Sequence, residues 1–261
     1  MADNTAKIVE ISPDKAPHLR IGLSWDPRES DYTKFLAGND VTADIFAKFE
    51  LTGGAGLSAV YSAGSSLLRY WKPDMSQRLQ IDAAHAQKME KLGKQFEADK
   101  NKPPYHLDLL CYCYDANKNP VEIISPYTII PRNPDKATLS ILPSGDNDDG
   151  VGSGDDEEIS IMLKDVPPQV QQMFFVVVSH NYAFGQVANG KCHIVRAQDE
   201  KELLESALTG DGNKETFLFS KMQRNGANWN LQSLAEYIDF VPDEELLKDQ
   251  AIGALIREKY V

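Results

Sequence analysis

The residues most able to do chemistry in this chain lie in one acidic, glycine-rich segment, residues 144–158. The segment contains seven carboxylates and no Lys, Arg or His, and an apolar run at 159–163 follows it directly. Two like unit charges about 4 Å apart repel by roughly 1 kcal/mol in water and about 4 kcal/mol at a protein surface. If the segment is ordered, it therefore needs a compensating positive charge. The seven acids are Asp146, Asp148, Asp149, Asp155, Asp156, Glu157 and Glu158.

Two interpretations of this segment follow from its residues alone. Its glycines permit backbone angles closed to other residues, so the chain could aim carbonyl and carboxylate oxygens at one point. Ca²⁺ accepts about six to eight such oxygens in a flexible shell, whereas Mg²⁺ demands a near-octahedral one. The same composition is also typical of a disordered acidic linker. The segment is not an EF-hand loop, because Asp149 and Gly150 break the required spacing and a strand-like run follows.

Several motifs resemble one known family in the same order along the chain. The acidic loop with its apolar run resembles the signature of the tellurium-resistance TerD family, and the apolar blocks downstream resemble the next parts of that family. Two upstream segments resemble the family's opening strand and its Asp-Leu-Asp block. The resemblance covers residues 18–29 and 105–261. The matching segments are 145–157, 166–167, 174–178 and 184–189, with 21–25 and 106–109 upstream.

The resemblance implies that the acidic loop binds Ca²⁺. Asp108 enters the predicted ligand set because it holds the second acidic position of the Asp-Leu-Asp block. His106 stands where that block has its first Asp, and Ser153 stands where the loop usually has a further acid. We therefore expect one well-formed Ca²⁺ site and a weaker or missing second one. The predicted carboxylate ligands are first Asp146, Asp155 and Glu157, then Asp156, Asp149 and Asp108, with Gly150 and Gly152 donating backbone oxygens.

The elements that must position these residues are predicted to be short strands. Alternating apolar residues separated by Pro, Gly and Asn turns indicate a mainly β chain that forms an antiparallel β-sandwich. The resemblance implies that this sandwich is TerD-like. Residues 199–208 are compatible with helix or strand by periodicity, and the resemblance favours partial strand character. Asp243 can cap a C-terminal helix with an apolar stripe. The strand candidates are 18–25, 105–114, 121–124, 138–142, 159–163, 173–179, 191–197 and 216–223.

Residues 30–104 occupy a place where the family has only a short connection, so they are interpreted as an insertion. Within it, Met75 to Asp99 has apolar residues at three- and four-residue spacing, which predicts a helix. This helix packs either on the host sandwich or on a partner chain. The predicted organisation is an N-terminal tail and first strand at 1–29, the insertion at 30–104, and the remainder of the TerD-like domain at 105–261.

Composition excludes some classes of function. The formal charge of −12 argues against a nucleic-acid partner, because such proteins carry a basic footprint. No segment reaches the roughly 20 apolar residues of a membrane span. Three cysteines and a polar start predict a reducing, cytoplasmic location. Cys111 and Cys113 lie two apart on a predicted strand, which indicates buried core thiols.

The five histidines, at positions 18, 85, 106, 180 and 193, form no spaced metal pair and are predicted to be structural or surface residues. No nucleophile and base fall into a recognisable catalytic arrangement. The resemblance implies a cytoplasmic, non-enzymatic, calcium-binding protein of the stress-response and tellurium-resistance type that acts through protein–protein interaction. The alternative is a structural subunit of a larger assembly that uses the insertion as a docking surface, with calcium optional. The partner's identity is left open.

Overall fold

The structure is a computed structural model that describes seven segments of the chain. The predicted insertion at 30–104, with its helix, lies outside them except for Pro104, as do Asp149 and Gly152. The predicted domain boundaries therefore stay a prediction. The described residues are 8–26, 104–128, 139–147, 150, 154–208, 213–238 and 245–261, the side chains of 245–249 excepted.

The described residues form two antiparallel sheets. Their strands are β1 Ile8–Ile11, β2 His18–Ser24, β3 Leu107–Tyr114, β4 Pro120–Ile124, β5 Ile141–Pro143, β6 Glu157–Met162, β7 Gln172–Ser179, β8 Lys191–Arg196, β9 Lys201–Ala207, β10 Thr216–Asn225 and β11 Asn228–Ile238. One sheet has six strands in the order β1-β11-β10-β7-β3-β4, and the other has five in the order β5-β6-β2-β8-β9. The predicted mainly β, antiparallel architecture is confirmed.

The main core lies between the two sheets. Side chains from β2, β6 and β8 of the five-stranded sheet meet those from β3, β7, β10 and β11 of the six-stranded sheet. Cys111 and Cys113 belong to this core, as their two-residue spacing predicts, and both are free thiols. Both faces of β3 are buried, so the strand is covered on each side.

A C-terminal helix, α1 at Glu245–Tyr260, covers the outer face of the six-stranded sheet. Ile252 and Ile256 pack there against Tyr112 and its neighbours. A Cβ at Gly253 would lie 3.2 Å from the Tyr112 ring, so the absence of a side chain allows close approach. This confirms the predicted C-terminal helix. Within the described residues, no helix combines the length and apolar character needed to cross a membrane.

The structure adds two strands that the sequence did not predict, β1 in the N-terminal tail and β11, and it decides one open assignment. Residues 201–207, compatible with helix or strand by sequence, form β9 at the edge of the five-stranded sheet. β11 was not predicted, although it is eleven residues long and pairs with both β10 and β1. Its alternation is interrupted by a register shift in the β10–β11 ladder, where Ala235 has a φ of 48°. An irregularity of this kind changes which side chains share a face, so the period-two pattern is broken.

Candidate metal centre

Strand β3 presents Asp108 at an open part of its edge. The β3–β4 ladder ends where Cys111 lies opposite Ile124. The N–H of Leu109 lies beyond that end and donates to Glu157 Oε2 at 2.7 Å instead of to a strand partner. A carboxylate from the other sheet thus takes the place of a ladder acceptor.

Glu157 is the first residue of β6 and is held from two directions. Its backbone lies opposite Leu23 of β2, which fixes where the side chain enters the sandwich. Its Oε1 accepts the N–H of Asn147 at 3.4 Å, while Oε2 accepts that of Leu109. Glu157 therefore ties the acidic loop to strand β3.

Asp108, Asp146 and Glu157, here called the carboxylate cluster, each offer one oxygen, and these oxygens lie within 4.8 Å of one another. Asp108 is 3% exposed and Glu157 2% exposed, whereas Asp146 is exposed. Burial raises the pKa of Glu157 to about 9, and the nearby charges of Asp108 and Asp146 also raise it. The hydrogen bonds from the N–H groups of Leu109 and Asn147 lower this pKa, but they do not cancel the rise. The arrangement therefore brings three carboxyl groups together, two of them buried, and without a bound cation Glu157 holds its proton at neutral pH.

His106, Asp108 and His180, here called the histidine cluster, form a second group around the same aspartate. His106 Nε2 lies 3.1 Å from Asp108 Oδ1 and 3.2 Å from Asp146 Oδ1, and His180 Nε2 lies 2.9 Å from Asp108 Oδ2. Burial would raise the pKa of Asp108, but hydrogen bonds from the two histidines outweigh it and hold that pKa below its usual value. The hydrogen bond to Asp108 raises the pKa of His106 against the effect of burial, and Asp146 adds to the rise.

Asp156 holds the acidic loop against strand β2. Its Oδ2 accepts the N–H of Trp25 at 2.8 Å, and its own N–H donates to the carbonyl of Leu23 at 2.8 Å. Its Oδ1 also accepts a bond from the Asn147 side chain at 3.4 Å. Asp156 thus fixes the path of the loop toward the carboxylate cluster.

Gly150 lies where a side chain could not fit. It has a φ of +67°, and a Cβ there would lie 2.3 Å from Trp25 Nε1. Its N–H donates to Asn147 Oδ1 at 2.9 Å. The loop therefore needs glycine at this position in order to fold back on Trp25.

Asp155 faces the five-stranded sheet. Its Oδ2 lies 3.1 Å from His193 Nε2 on β8. Both side chains lie over Gly22, where a Cβ would be 2.2 Å from Asp155 Oδ2 and 2.4 Å from His193 Nε2. Three consecutive acids of the loop thus take three directions, because Asp155 lies over this sheet, Asp156 contacts β2 and Glu157 contacts β3.

The TerD domain family matches residues 76–239, more than half of the 261 residues. The chain belongs to the TerD family. The match begins inside the segment that the sequence analysis interprets as an insertion and ends before α1. Strand β2 precedes the match, yet it pairs with β6 and β8 of the same TerD domain.

Curated relatives of this TerD protein carry names from tellurium resistance and stress response. Tellurium resistance proteins TerD and TerZ of Serratia marcescens are each 33% identical, over 103 and 129 residues that cover 37% and 49% of this chain. General stress protein 16U of Bacillus subtilis (strain 168) is 32% identical over 101 residues, or 36% of this chain. The matches span 54%, 64% and 52% of the lengths of these relatives, respectively.

Two crystal structures share the fold of this TerD protein. One is a homologue of telluride resistance protein from Streptomyces coelicolor A3(2), with a TM-score of 0.53 and 17% identity, covering 91% of this chain and 98% of that one. The other is a protein of unknown function, with a TM-score of 0.54 and 13% identity, covering 91% and 97%. At these identities the likeness shows the fold alone.

Of the predicted ligands, the TerD structure brings Asp108, Asp146 and Glu157 together. Asp155 and Asp156 make the separate contacts described above, and Asp149 and Gly152 lie outside the described residues. The assignment of all these residues as ligands stays a prediction. The structure does have acidic and histidine groups that could hold a metal ion.

Sequence reasoning missed His180. It lies 74 positions after His106, so no local spacing connects the two. The proximity of the two histidines follows from the pairing of β3 with β7. That pairing places Leu107 opposite Ser179 and so brings the flanking histidines side by side.

Proposed function

We propose that this TerD protein is a non-enzymatic, calcium-binding protein of stress response and tellurium resistance, and that the bound ion orders a surface for a protein partner. The observation that carries the proposal is the convergence of Asp108, Asp146 and Glu157 from three separate segments of the chain. The proposed role is binding, and the proposed location is the cytoplasm.

The donor set suits a hard cation. Carboxylate oxygens are the donors that Ca²⁺ prefers, and its flexible shell tolerates an irregular arrangement of them. Buried charged groups are normally paired or bound to a metal, since burying an isolated charge is very unfavourable. Asp108 and Glu157 are both buried, and exposed Asp146 gives an ion access from solvent.

The position of the cluster supports a link between ion binding and surface order. Asp146 belongs to the loop, Asp108 to the six-stranded sheet and Glu157 to the five-stranded sheet. An ion shared by the three would hold the loop against both sheets. Since a cation that binds only the folded state stabilises it by mass action, the loop and the fold would become ordered together.

The biological part of the proposal is supported by the names of relatives, which are tellurium resistance and general stress proteins. The matches span only 52–64% of those proteins, so the partner and the resistance role are proposals for this chain. The cytoplasmic location is supported by Cys111, Cys113 and Cys192, which are all free and buried.

Thermal unfolding with and without Ca²⁺ tests the binding part. In chelator-treated protein, Ca²⁺ at about 100 times its Kd should stabilise the fold by about 2.7 kcal/mol, and excess chelator should reverse the shift. Asp146→Asn should remove the shift, because it deletes one cluster charge at an exposed position. Asp165→Asn, which changes an exposed acid outside the cluster, should retain it. An equal shift in both variants, or none in the unaltered protein, would contradict the proposal.

Growth on tellurite tests the biological part. Bacteria without TerD proteins of their own should grow better on tellurite when they express the unaltered chain than when they express Asp146→Asn at the same level. Equal growth of the two strains would contradict a calcium-dependent role in resistance. Immunoblots are needed to show that the two proteins are equally abundant.

A further inference from the structure

We propose that His106, Asp108 and His180 form a second metal site, which prefers a transition-metal cation of the Zn²⁺ type to Ca²⁺ and shares Asp108 with the carboxylate cluster. The site does not depend on calcium binding, because its nitrogen donors belong to the histidine cluster alone.

The backbone builds this site directly. The N–H of His180 donates to the carbonyl of His106 at 3.0 Å, which extends the β3–β7 ladder past its last strand pair. The two imidazole rings consequently lie side by side, with centroids 4.5 Å apart and planes tilted by 31°. Asp108 is two residues from His106, so alternation puts it on the same face. The geometry thus rests on strand pairing rather than on loop conformation.

The distances are close to those of a tetrahedral metal shell. With metal–ligand bonds of about 2.0–2.1 Å, neighbouring ligand atoms of a tetrahedron lie about 3.3 Å apart. The two histidine nitrogens lie 3.1 and 2.9 Å from Asp108 oxygens, and Asp146 Oδ1 is 3.2 Å from His106 Nε2. One ligand atom from each of His106, Asp108 and His180 lies within 4.8 Å of the other two, so the three side chains are close enough to share one cation. Asp146 or a water would complete the shell.

The donor types discriminate between metals. Imidazole nitrogen suits Zn²⁺, Cu²⁺, Ni²⁺ and Fe²⁺, whereas Ca²⁺ and Mg²⁺ are bound through oxygen. Two imidazoles with one or two carboxylates form a mixed set that favours a transition-metal cation over Ca²⁺ or Mg²⁺. The neighbouring carboxylate cluster offers oxygen only, so adjacent positions would select different ions.

An ion can reach the histidine cluster from solvent. The side chains of His106 and His180 are 15% and 11% exposed. Tyr127, whose hydroxyl lies 3.3 Å from His106 Nε2, is itself exposed. The site is thus enclosed enough to hold its ligands in place, yet open at the tyrosine.

Calorimetric titration of the chelator-treated chain with Zn²⁺ tests the proposal. The visible absorption spectrum of the unaltered chain with Co²⁺ in place of Zn²⁺ is a second measurement, which reports the coordination number directly. We expect saturable Zn²⁺ binding and the intense visible bands of a four-coordinate Co²⁺ site. His180→Gln should weaken Zn²⁺ binding by more than about 100-fold, since even outer-shell partners of a metal are worth about 10- to 100-fold. His18→Gln, whose imidazole contacts Ser160 at 3.3 Å instead, is the matched control and should bind as before.

Two further variants separate this site from the proposed calcium site. Glu157→Gln should lose the Ca²⁺ response and keep Zn²⁺ binding, because Glu157 belongs only to the carboxylate cluster. His106→Asp should weaken Zn²⁺ binding and strengthen Ca²⁺ binding, because it replaces a nitrogen donor with oxygen. The proposal is overturned if Zn²⁺ does not bind, if Co²⁺ gives only weak octahedral bands, or if His180→Gln binds Zn²⁺ as tightly as His18→Gln. Those results would leave the histidines as hydrogen-bond donors to Asp108 and nothing more.

Discussion

The outer face of the six-stranded sheet is closed in two different ways along strand β3. Toward its end, Tyr112 and Tyr114 lie beneath α1 in an apolar layer. Near the start of β3, His106 and Asp108 lie on the same face as Tyr112 and Tyr114. The side chains around His106 and Asp108 are carboxylates and an imidazole. The apolar layer is stabilised mainly by burial, whereas the polar end brings carboxylates and imidazoles together. One backbone ladder thus carries a region packed by apolar side chains and a region of clustered carboxylates and imidazoles, and we propose that only the second gains stability from an ion.

The largest expected loss of stability comes from a substitution in the apolar layer between β3 and α1. Ile256→Ala removes a fully buried side chain of α1, so the free energy of unfolding should fall by about 2–5 kcal/mol. The loss should be the same with Ca²⁺ and with chelator, as measured by urea unfolding. Glu258→Ala, at an exposed position of the same helix, should change stability by no more than about 0.5 kcal/mol. If the loss of stability in Ile256→Ala varied with Ca²⁺, the stability of the apolar layer would not be independent of the ion.

At the polar end, Asp108→Asn should lower the stability of the protein and also remove its response to Ca²⁺. The change weakens charge-assisted hydrogen bonds from His106 and His180, so metal-free protein should lose about 1.5–3 kcal/mol of stability. It should also remove the stabilisation by Ca²⁺, because Asp108 belongs to the carboxylate cluster. The measurement is urea unfolding with Ca²⁺ and with chelator, and Asp165→Asn is the control. Full Ca²⁺ stabilisation in Asp108→Asn would count against the cluster as an ion site.

Tyr114→Phe is expected to have a smaller effect that does not depend on ions. The Tyr114 hydroxyl donates to the carbonyl of Gly253 at 2.6 Å, which links β3 to α1. Losing this bond should lower stability by about 1 kcal/mol, measured by urea unfolding. Equal losses with Ca²⁺ and with chelator would agree with an intrinsically stable apolar end, and unequal losses would not.

The smallest predicted effect is pH-dependent. Hydrogen bonds from Lys259 and Tyr260 of α1 lower the pKa of Glu236 on β11. A lowered carboxyl pKa contributes stability above the ordinary value of 4.5, and this stability is lost as pH falls through the folded-state pKa. Glu236→Gln should therefore be slightly less stable than the unaltered protein at pH 7, by less than Tyr114→Phe. Thermal unfolding should show that this difference in stability disappears in acid. A difference that grows in acid would contradict a lowered pKa for Glu236.

The sandwich could be predicted from sequence because most strands keep their period-two pattern. β11 could not, since the irregularity near Ala235 breaks the alternation between its two halves. α1 was predictable from its apolar stripe, but the close approach of Gly253 to Tyr112 depends on the folded position of the helix.

The candidate site was only partly predictable for a different reason. Composition identified an acidic loop, and resemblance added Asp108, but neither indicates where consecutive side chains point. Asp155 and Glu157 are two residues apart, yet one contacts His193 and the other Leu109. His180 could not be found at all, because its proximity to His106 exists only once β3 and β7 are paired.

The central claim is that the carboxylate cluster binds Ca²⁺. Isothermal titration of the chelator-treated chain with Ca²⁺ tests it most directly, with Asp108→Asn and Asp165→Asn titrated alongside. We expect saturable heat for the unaltered chain and for Asp165→Asn, and none for Asp108→Asn. Absence of heat from the unaltered chain at about millimolar Ca²⁺, within the range of weak natural calcium sites, would contradict it.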